Sequence, residues 1–376
     1  MAKPKPKPKS PRPKPAASLP ARFFEKELTG AQAPSFDTMS LLFARAAELL
    51  SREPWDLLEE DNLVLFEEPG APDTCFCSVM GAARQAMIVQ VYIGARSYFW
   101  FQKMHAGELT TVGEFFAHQY SVYVDFSDLA GLTPPDRQLA RIMRHPLSRN
   151  TVAPIFRTIR PGYHPWYVTE TEARILAAGL EAVMVVCELL EKNEDTDFWK
   201  VENSYPFVAL EGESGSLNEF SVKLMEAPRE AVAIPKMPEL DQPRIQAILS
   251  QHLPCEGVVE VDQFYSAGTI GAKYERKACI RVGLAVDAKT AFAFPPEIGA
   301  PEKSTGDLLA EVVLKAIECK RALPAEIQVR EPEFRIMLDR LAQALGVSVK
   351  VKKSLPALDF AKSELQAMMG DPGVIQ

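Results

Sequence analysis

Cysteine and histidine are the side chains most suited to bind metals or act as nucleophiles, and their spacing here argues against several common sites. The six cysteines contain no Cys-x-x-Cys pair. The five histidines contain no pair four residues apart and no His-Glu-x-x-His motif. Structural zinc sites and zinc hydrolases depend on such spacings. We therefore expect neither a structural zinc site nor a metal-histidine cluster.

Cys75 and Cys77 form the one close cysteine pair, in the run Cys-Phe-Cys-Ser-Val-Met. In a strand, residues two apart lie on the same face, so we expect both thiols to be buried as small hydrophobic groups and not to act as a redox pair. The chain also lacks a phosphate-binding Gly-x-x-x-x-Gly-Lys-Ser/Thr loop, a Gly-x-Gly-x-x-Gly turn and a Gly-x-Ser-x-Gly nucleophile elbow.

His164 and Trp166 are the candidate pocket residues of the N-terminal half. They lie in the run Arg-Pro-Gly-Tyr-His-Pro-Trp, just before a helix that the capping-box pair Thr169 and Glu172 predicts. Together with the aromatic stretch 98–101 they could line a groove. Alternatively, they fix the direction in which the chain enters the helix.

The elements that would position these residues follow from hydrophobic periodicity. The pattern predicts a helix over 37–51 with Asp37 as N-cap, an antiparallel meander, a short helix at the aromatic stretch and a hairpin. The predicted strands cover 63–67, 75–80, 86–93, 120–126, 205–211 and 218–225. We therefore expect an α+β domain.

The C-terminal third has the more legible order of elements. Strands are predicted at 258–265, 279–286, 291–294, 326–329 and 347–351, and helices at 305–321, from Pro332 to the stop at Gly346, and from Pro356. The resulting order is β-β-β-α-β-α-β-α. Few sheets accept it, and we expect an α/β domain with a mixed five-stranded sheet: three antiparallel strands continued by parallel strands through right-handed helical crossovers.

That order and three short runs resemble a diverged ribonuclease H-like core of the integrase or transposase type. The runs are Val-Glu-Val-Asp-Gln-Phe, Leu-Ala-Val-Asp-Ala-Lys-Thr and Ile-Gln-Val-Arg-Glu-Pro-Glu-Phe. In such cores, acidic residues on the first strand, after the fourth strand and on the last helix converge at one edge of the sheet. The resemblance thus implies Asp262, Glu331 and either Asp359 or Glu364 as ligands of Mg²⁺ or Mn²⁺.

The sequence departs from that family at the second position, where Arg330-Glu331-Pro332 replaces an Asp-Asn-Gly-like run. The longer side chain and the adjacent arginine both disfavour tight metal geometry. Each acid also has a structural interpretation: Glu331 suits a helix N-terminus, Asp262 could close a strand, and Asp359 could be a solvated acid of a first helical turn.

Charge is distributed unevenly along the chain. The first 20 residues carry six basic side chains and no acid, whereas the rest carries 36 basic and 50 acidic residues. Alternating Lys and Pro favour an extended, solvated tail, in which residues 3–14 could contact nucleic acid weakly. Apolar runs are far shorter than the roughly 20 residues of a membrane helix, and the tail lacks the apolar core of a signal peptide. We expect a cytoplasmic protein without membrane contact.

The proline-rich run 227–243 indicates a domain boundary near 235. We predict a disordered tail (1–34), an α+β domain (35–235), a linker with a short helix (236–254) and a ribonuclease H-like domain (255–370). The whole chain resembles an uncharacterised bacterial family that couples two domains of unknown function. Ser-Val-Met-Gly, Val-Gln-Val-Tyr-Ile-Gly and Leu-Pro-Ala-Leu-Asp carry this resemblance.

The sequence is compatible with two functions. The leading hypothesis is a non-catalytic binding or regulatory protein without a cofactor, whose C-terminal domain has lost its metal site. Its partner is unknown, and a second protein is one candidate. The alternative is a nuclease or strand-transfer enzyme in which Asp262, Glu331 and Asp359 hold Mg²⁺ or Mn²⁺. The two differ in whether these carboxylates surround a cation-sized space or pair with basic side chains.

Overall fold

The computed structural model describes residues 33–109, 112–148, 151–193, 197–209, 221–228, 236–272 and 275–369. Residues 1–32, which hold nearly all of the predicted tail and its candidate nucleic-acid contact, lie outside this description. So do the predicted hairpin loop and residues 229–235 of the proline-rich boundary segment.

The N-terminal domain is built on a seven-stranded mixed sheet. Its strand order is β5-β4-β3-β2-β1-β6-β7, in which only the β1–β6 pair is parallel. The predicted antiparallel meander is present as β1 to β4, and β5, which the sequence did not predict, adds a further antiparallel strand. The strands are β1 (Val64–Phe66), β2 (Cys75–Met80), β3 (Ile88–Ile93), β4 (Ser121–Ser127), β5 (Ala153–Ile159), β6 (Ser204–Ala209) and β7 (Ser221–Glu226).

Helices cover both faces of this sheet. They are α1 (Phe36–Arg52), α2 (Gly94–His105), α3 (Val112–His118), α4 (Pro134–Ile142) and α5 (Glu170–Lys192). One face packs against the apolar stripes of α1 and α5, with Leu42, Phe66 and Leu180 buried together. On the other face α2 buries Tyr98 and Phe101, as the aromatic stretch predicts. Two of the four aromatic rings of the stretch 98–101 therefore belong to the core.

Two helix N-termini show how well local sequence predicts a cap. At α5 the predicted capping box forms: the Thr169 hydroxyl accepts from the Glu172 N–H and the Glu172 carboxylate accepts from the Thr169 N–H. At α1 the cap is Ser35, whose hydroxyl accepts from the Thr38 N–H, so the prediction of Asp37 was wrong. Asp37 lies instead in the first turn, where its charge suits the helix dipole.

The C-terminal domain is built on a five-stranded mixed sheet with the order β10-β9-β8-β11-β12. Strands β8, β9 and β10 pair antiparallel, and β11 pairs parallel with both β8 and β12. The predicted sequence of elements and the predicted mixture of strand directions are found. The strands are β8 (Val258–Ile270), β9 (Ala278–Asp287), β10 (Glu297–Gly299), β11 (Glu326–Val329) and β12 (Ser348–Val351).

The third strand of this domain lies later in the chain than predicted. A tight turn occupies residues 288–290, and in the predicted run after it Ala291 has φ 57° and Ala293 makes only an isolated bridge to Val286. The Asp287 carboxylate accepts from the N–H groups of residues 289 and 290, which closes this turn. The strand forms only after Pro295 and Pro296, because proline cannot donate to a β-ladder.

Helices α6 (Gln242–Leu249), α7 (Thr305–Lys320), α8 (Pro332–Leu345) and α9 (Pro356–Met369) complete this domain. Alternation along β8 separates its two faces: Val259 and Val261 pack with α6, α7 and α8, whereas Phe264 packs with α9. The short helix α6, predicted within a linker, is part of this core, since Ile245 and Ile248 are buried in it. Across the described residues, no helix is long and apolar enough to span a membrane.

Candidate functional site

The two domains meet where the loop before α5 lies along β9. The Cys279 N–H donates to the Gly162 carbonyl at 2.9 Å, and the His164 N–H donates to the Lys277 carbonyl at 2.8 Å. Tyr163 bridges Ala278 in antiparallel register between these bonds. We call residues 162–164 with 277–279 the interdomain seam. It extends the sheet hydrogen bonding of one domain onto the other.

A cleft of about 410 Å³ opens beside the seam, with walls from both domains. Arg96, His118 and Gly162 contribute the N-terminal wall. The C-terminal wall comes from β8, β9 and the segment that leads into α7. Its side chains include Gln263, Tyr265, Cys279, Arg281, Lys303, Ser304 and Thr305.

Arg281 is the most deeply buried charge in this cleft, with 8% of its surface exposed. Its Nη1 donates to Thr305 Oγ1 at 3.3 Å, and its Nη2 donates to the carbonyls of Ala300 and Lys303. All three of these acceptors are neutral. In the described part of the chain its Nε has no hydrogen-bond partner. Arginine is seldom buried without a carboxylate, so this side chain is unusual.

The lining of the cleft is basic although the protein as a whole is acidic, with a net charge of −8. Four basic and two acidic side chains line it, and the two acids, Glu302 and Glu333, are exposed, as are Arg96 and Lys236. Glu302 accepts a hydrogen bond from the Tyr163 hydroxyl. The four basic residues are Arg96, Lys236, Arg281 and Lys303. Lys303 pairs with Glu297 at 2.9 Å, and the remaining excess of positive charge favours an anionic ligand.

Burial and the positive charge of the cleft lining together lower the pKa of His118. Burial lowers the pKa of His118 to about 3, with the positive charges of Arg96, Lys103 and Arg281 adding to the effect. Its ring stacks on Trp100 with centroids 3.7 Å apart, and its Nδ1 lies 3.3 Å from Nη2 of Arg96. Because arginine only donates, Nδ1 must be the acceptor. The neutral ring therefore carries its proton on Nε2, which is a donor.

The acidic residues proposed as metal ligands also come to one place. We call Asp262, Glu331 and Asp359 the acidic rim. Asp262 follows the last β8 residue that pairs with β11, and Glu331 lies two residues after β11 ends. Asp359 lies in the first turn of α9. The order of strands and helices thus brings these distant positions to one edge of the sheet.

At this rim a guanidinium lies between two of the carboxylates. Nε of Arg330 is 3.7 Å from Oδ2 of Asp262, and its Nη2 donates to Oδ1 of Asp359. Asp262 is buried, and burial raises its pKa despite the hydrogen bond from the Gln263 N–H and the charges of Lys362 and Arg330. Basic groups thus neighbour these carboxylates.

The other candidate acids are more solvated. Glu331 is the exposed N-cap residue of α8, and its side chain makes no capping bond. Glu364 is exposed on α9. Within the described ranges no three His, Cys, Asp or Glu side chains are grouped as metal ligands would be.

His164 and Trp166 lie at or beside the seam, outside the lining of the cleft. The His164 ring contacts Phe116 with centroids 5.0 Å apart. Trp166 exchanges two backbone hydrogen bonds with Thr158, which fix the loop against β5. These contacts are of the kind that the structural interpretation predicted, and a direct ligand contact for either residue stays a prediction.

The cysteines behave as expected from their spacing. Cys75 and Cys77 are buried on β2, and all six cysteines are free. Burial raises the pKa of Cys75 to about 12 and raises that of Cys77 as well. These thiols are therefore poor nucleophiles at neutral pH.

Sequence reasoning missed Arg281 and also Glu260. Glu260 is 2% exposed and its carboxylate accepts from the Leu358 N–H at 2.7 Å, which caps α9 across the sheet. One signal was available for both residues: each is a charged side chain within an otherwise apolar β-run. Such a position needs a buried partner or a ligand.

Comparisons with known proteins identify the domains but not an activity. No curated protein matches the chain. Residues 40–206 match a family model described as a domain of unknown function (DUF7309), and residues 244–366 match another described in the same way (DUF6930). These two matches support a family in which two domains of unknown function are coupled in one chain.

Proposed function

We propose that this chain is a non-catalytic binding protein whose two domains enclose a small-molecule site in the cleft beside the seam. The cleft itself is the observation that carries the proposal. Its volume of about 410 Å³ lies in the range of ligand pockets, and its walls come from both domains. A ligand held there touches both domains at once.

Such a ligand would also regulate the protein. Anything that binds only the assembled domains stabilises them by mass action, by about 2.7 kcal/mol at a hundredfold excess over Kd. Binding would therefore strengthen the seam through contacts to His118 on one side and Thr305 on the other. The arrangement of the two domains would then report the concentration of the ligand.

The acidic rim supports the non-catalytic part of the proposal. Two-metal hydrolysis needs open oxygen ligands around cations roughly 4 Å apart. Arg330 supplies a positive charge beside Asp262 and Asp359, where a cation would have to bind. The strand order β10-β9-β8-β11-β12 supports the related proposal that this domain is ribonuclease H-like and has lost its metal site.

Thermal unfolding of the full-length chain against a library of small metabolites tests the proposal. We expect some compounds to raise Tm, and we expect Gln263→Trp, which fills the cleft, to abolish the shift. Gln251→Trp is the matched control, because Gln251 is exposed and outside the cleft lining. A library without binders, or binders that act equally on both variants, would contradict the proposal. So would Mn²⁺-dependent cleavage of DNA or RNA that Asp262→Asn abolishes.

A further inference from the structure

We propose that the ligand of the cleft is a phosphorylated small molecule whose phosphate binds between Arg281 and the first turn of α7. This inference rests on the proposed binding function and names the chemical class of its ligand. Three independent features meet at this point: a buried arginine without a carboxylate, a helix N-terminus, and further basic side chains around one cavity.

Buried Arg281 is the first feature of the proposed phosphate site. A charge that is nine-tenths buried needs compensation, and the oxygens that Arg281 reaches belong to a hydroxyl and two carbonyls. Its Nε has no partner among the described residues but is enclosed by protein atoms, so a ligand would meet the small exposed part of the side chain that lines the cleft. Arginine presents its N–H groups in a planar fork that matches the oxygens of a phosphate.

The N-terminus of α7 is the second feature of the proposed phosphate site. Thr305, which accepts from Arg281, is the first residue of this 16-residue helix. The first N–H groups of a helix have no partner within it and carry partial positive charge. The one acid of the first turn, Asp307, is engaged by the Ser304 hydroxyl at 2.5 Å and by the Glu239 N–H at 2.9 Å. Its carboxylate is therefore already satisfied.

The wall formed by the N-terminal domain is the third feature of the proposed phosphate site. Arg96 is exposed and lies 3.3 Å from His118, whose Nε2 is left as a donor. The low pKa of His118 agrees with a positive potential in the cleft. An anion in the cleft would therefore meet hydrogen-bond donors from both domains. This role would account for a basic cavity in a protein that is acidic overall.

The size of the cleft separates a phosphorylated metabolite from a free ion. Inorganic phosphate would occupy only a fraction of about 410 Å³. The remaining space, bounded by Tyr265, His118 and Gln263, suits the organic part of a compound such as a sugar phosphate or a mononucleotide. We therefore expect phosphate alone to bind weakly and phosphate esters to bind more tightly.

Isothermal titration calorimetry of the full-length chain tests the inference, with inorganic phosphate, pyrophosphate and ribose 5-phosphate as probes. We expect one site per chain and weaker binding at higher salt. Arg281→Gln should weaken pyrophosphate binding about tenfold or more, since a hydrogen bond to a charged group contributes about 1.5–3 kcal/mol. Arg281→Lys, which keeps the charge without the fork, should recover part of this loss.

A second variant keeps the test decisive if Arg281→Gln fails to fold. Arg96 is exposed, so Arg96→Gln should fold normally and still weaken binding severalfold. Arg244→Gln is the control, since Glu311 and Glu318 already hold that guanidinium. Equal affinities in all variants, or no binding of any phosphate probe by the wild type, would overturn the inference. If uncharged compounds bind and Gln263→Trp blocks them, the phosphate inference fails while the proposed binding function stands.

Discussion

Nε of Arg330 lies 3.7 Å from Oδ2 of Asp262, on the rim where the sheet order places the acidic residues together. Asp262 is buried, whereas about a third of the Arg330 side chain is exposed. The arginine thus offsets a carboxylate that solvent barely reaches. In the proposed account this pairing takes the place of a metal ion, because a metal ion would require the same oxygen atoms.

Removing Arg330 should destabilise the fold, because the buried Asp262 carboxylate would then lose its neighbouring positive charge. We expect Arg330→Ala to lower the free energy of unfolding by about 1–2 kcal/mol, less than for a fully buried pair because Arg330 is partly solvated. Adding Asp262→Asn to this variant should restore much of the loss. Urea unfolding at pH 7 measures both effects. A double variant that is less stable than the single variant would contradict the pairing.

Asp262 should also make stability depend on pH. Its pKa is raised, chiefly by burial, so the folded chain binds this proton more readily than the unfolded chain. Stability from this group is present at low pH and is lost as pH rises through the folded pKa. We therefore expect Asp262→Asn to gain stability relative to the wild type between pH 3 and pH 7. Asp61→Asn, at an exposed position, is the control, and an unchanged difference across this range would reject the assignment.

His118 should make stability depend on pH in the opposite direction from Asp262. Its pKa is lowered to about 3, mainly by burial, whereas an unfolded histidine titrates near 6.5. Between these values the unfolded chain binds a proton that the folded chain does not, so stability falls as the solution is acidified from pH 7 to pH 4. We expect His118→Gln to show a shallower fall in urea unfolding than either the wild type or the exposed-site control His252→Asn. Parallel curves would show that His118 is not held neutral.

The C-terminal fold could be predicted because each of its elements has its own local signals. The strand over 326–329 alternates polar and apolar residues and ends before the helix-starting Pro332, and that helix stops at Gly346, whose φ is 72°. From this order the convergence of Asp262 and Asp359 followed. The third strand was misplaced because 291–294 has strand composition, whereas a side-chain turn at Asp287 controls its backbone.

The cleft could not be predicted, because its walls come from parts of the chain that are far apart in sequence. Arg96 and Arg281 lie on different domains, and no local pattern links them. The seam that brings them together consists of backbone hydrogen bonds at residues 162–164, which leave little trace in side-chain composition. The predicted pocket residues His164 and Trp166 pointed to the seam, and the charged residue inside the apolar run of β9 was the one local signal for the cleft wall.

Gly162 should be essential for the seam. Its φ is +84°, and a Cβ added there would lie 3.0 Å from Cβ of Pro301 in the other domain. Gly107 is the matched control, since its φ is +70° and nothing lies within 4 Å of an added Cβ. We expect Gly107→Ala to cost about 1 kcal/mol from backbone strain alone. Gly162→Ala should cost more and should speed hydrogen exchange at the Cys279 N–H. Equal costs and unchanged exchange would contradict this role.

Anomalous diffraction from crystals of the full-length chain, soaked in selenate at a concentration high enough to fill a weak anion site, tests the central claim most directly, because selenate is a tetrahedral oxyanion like phosphate and has a strong selenium signal. We predict a peak in the cleft within hydrogen-bond distance of Arg281, which Arg281→Gln crystals lack. A cleft without a selenium peak, or one whose peak persists without Arg281, would contradict the account.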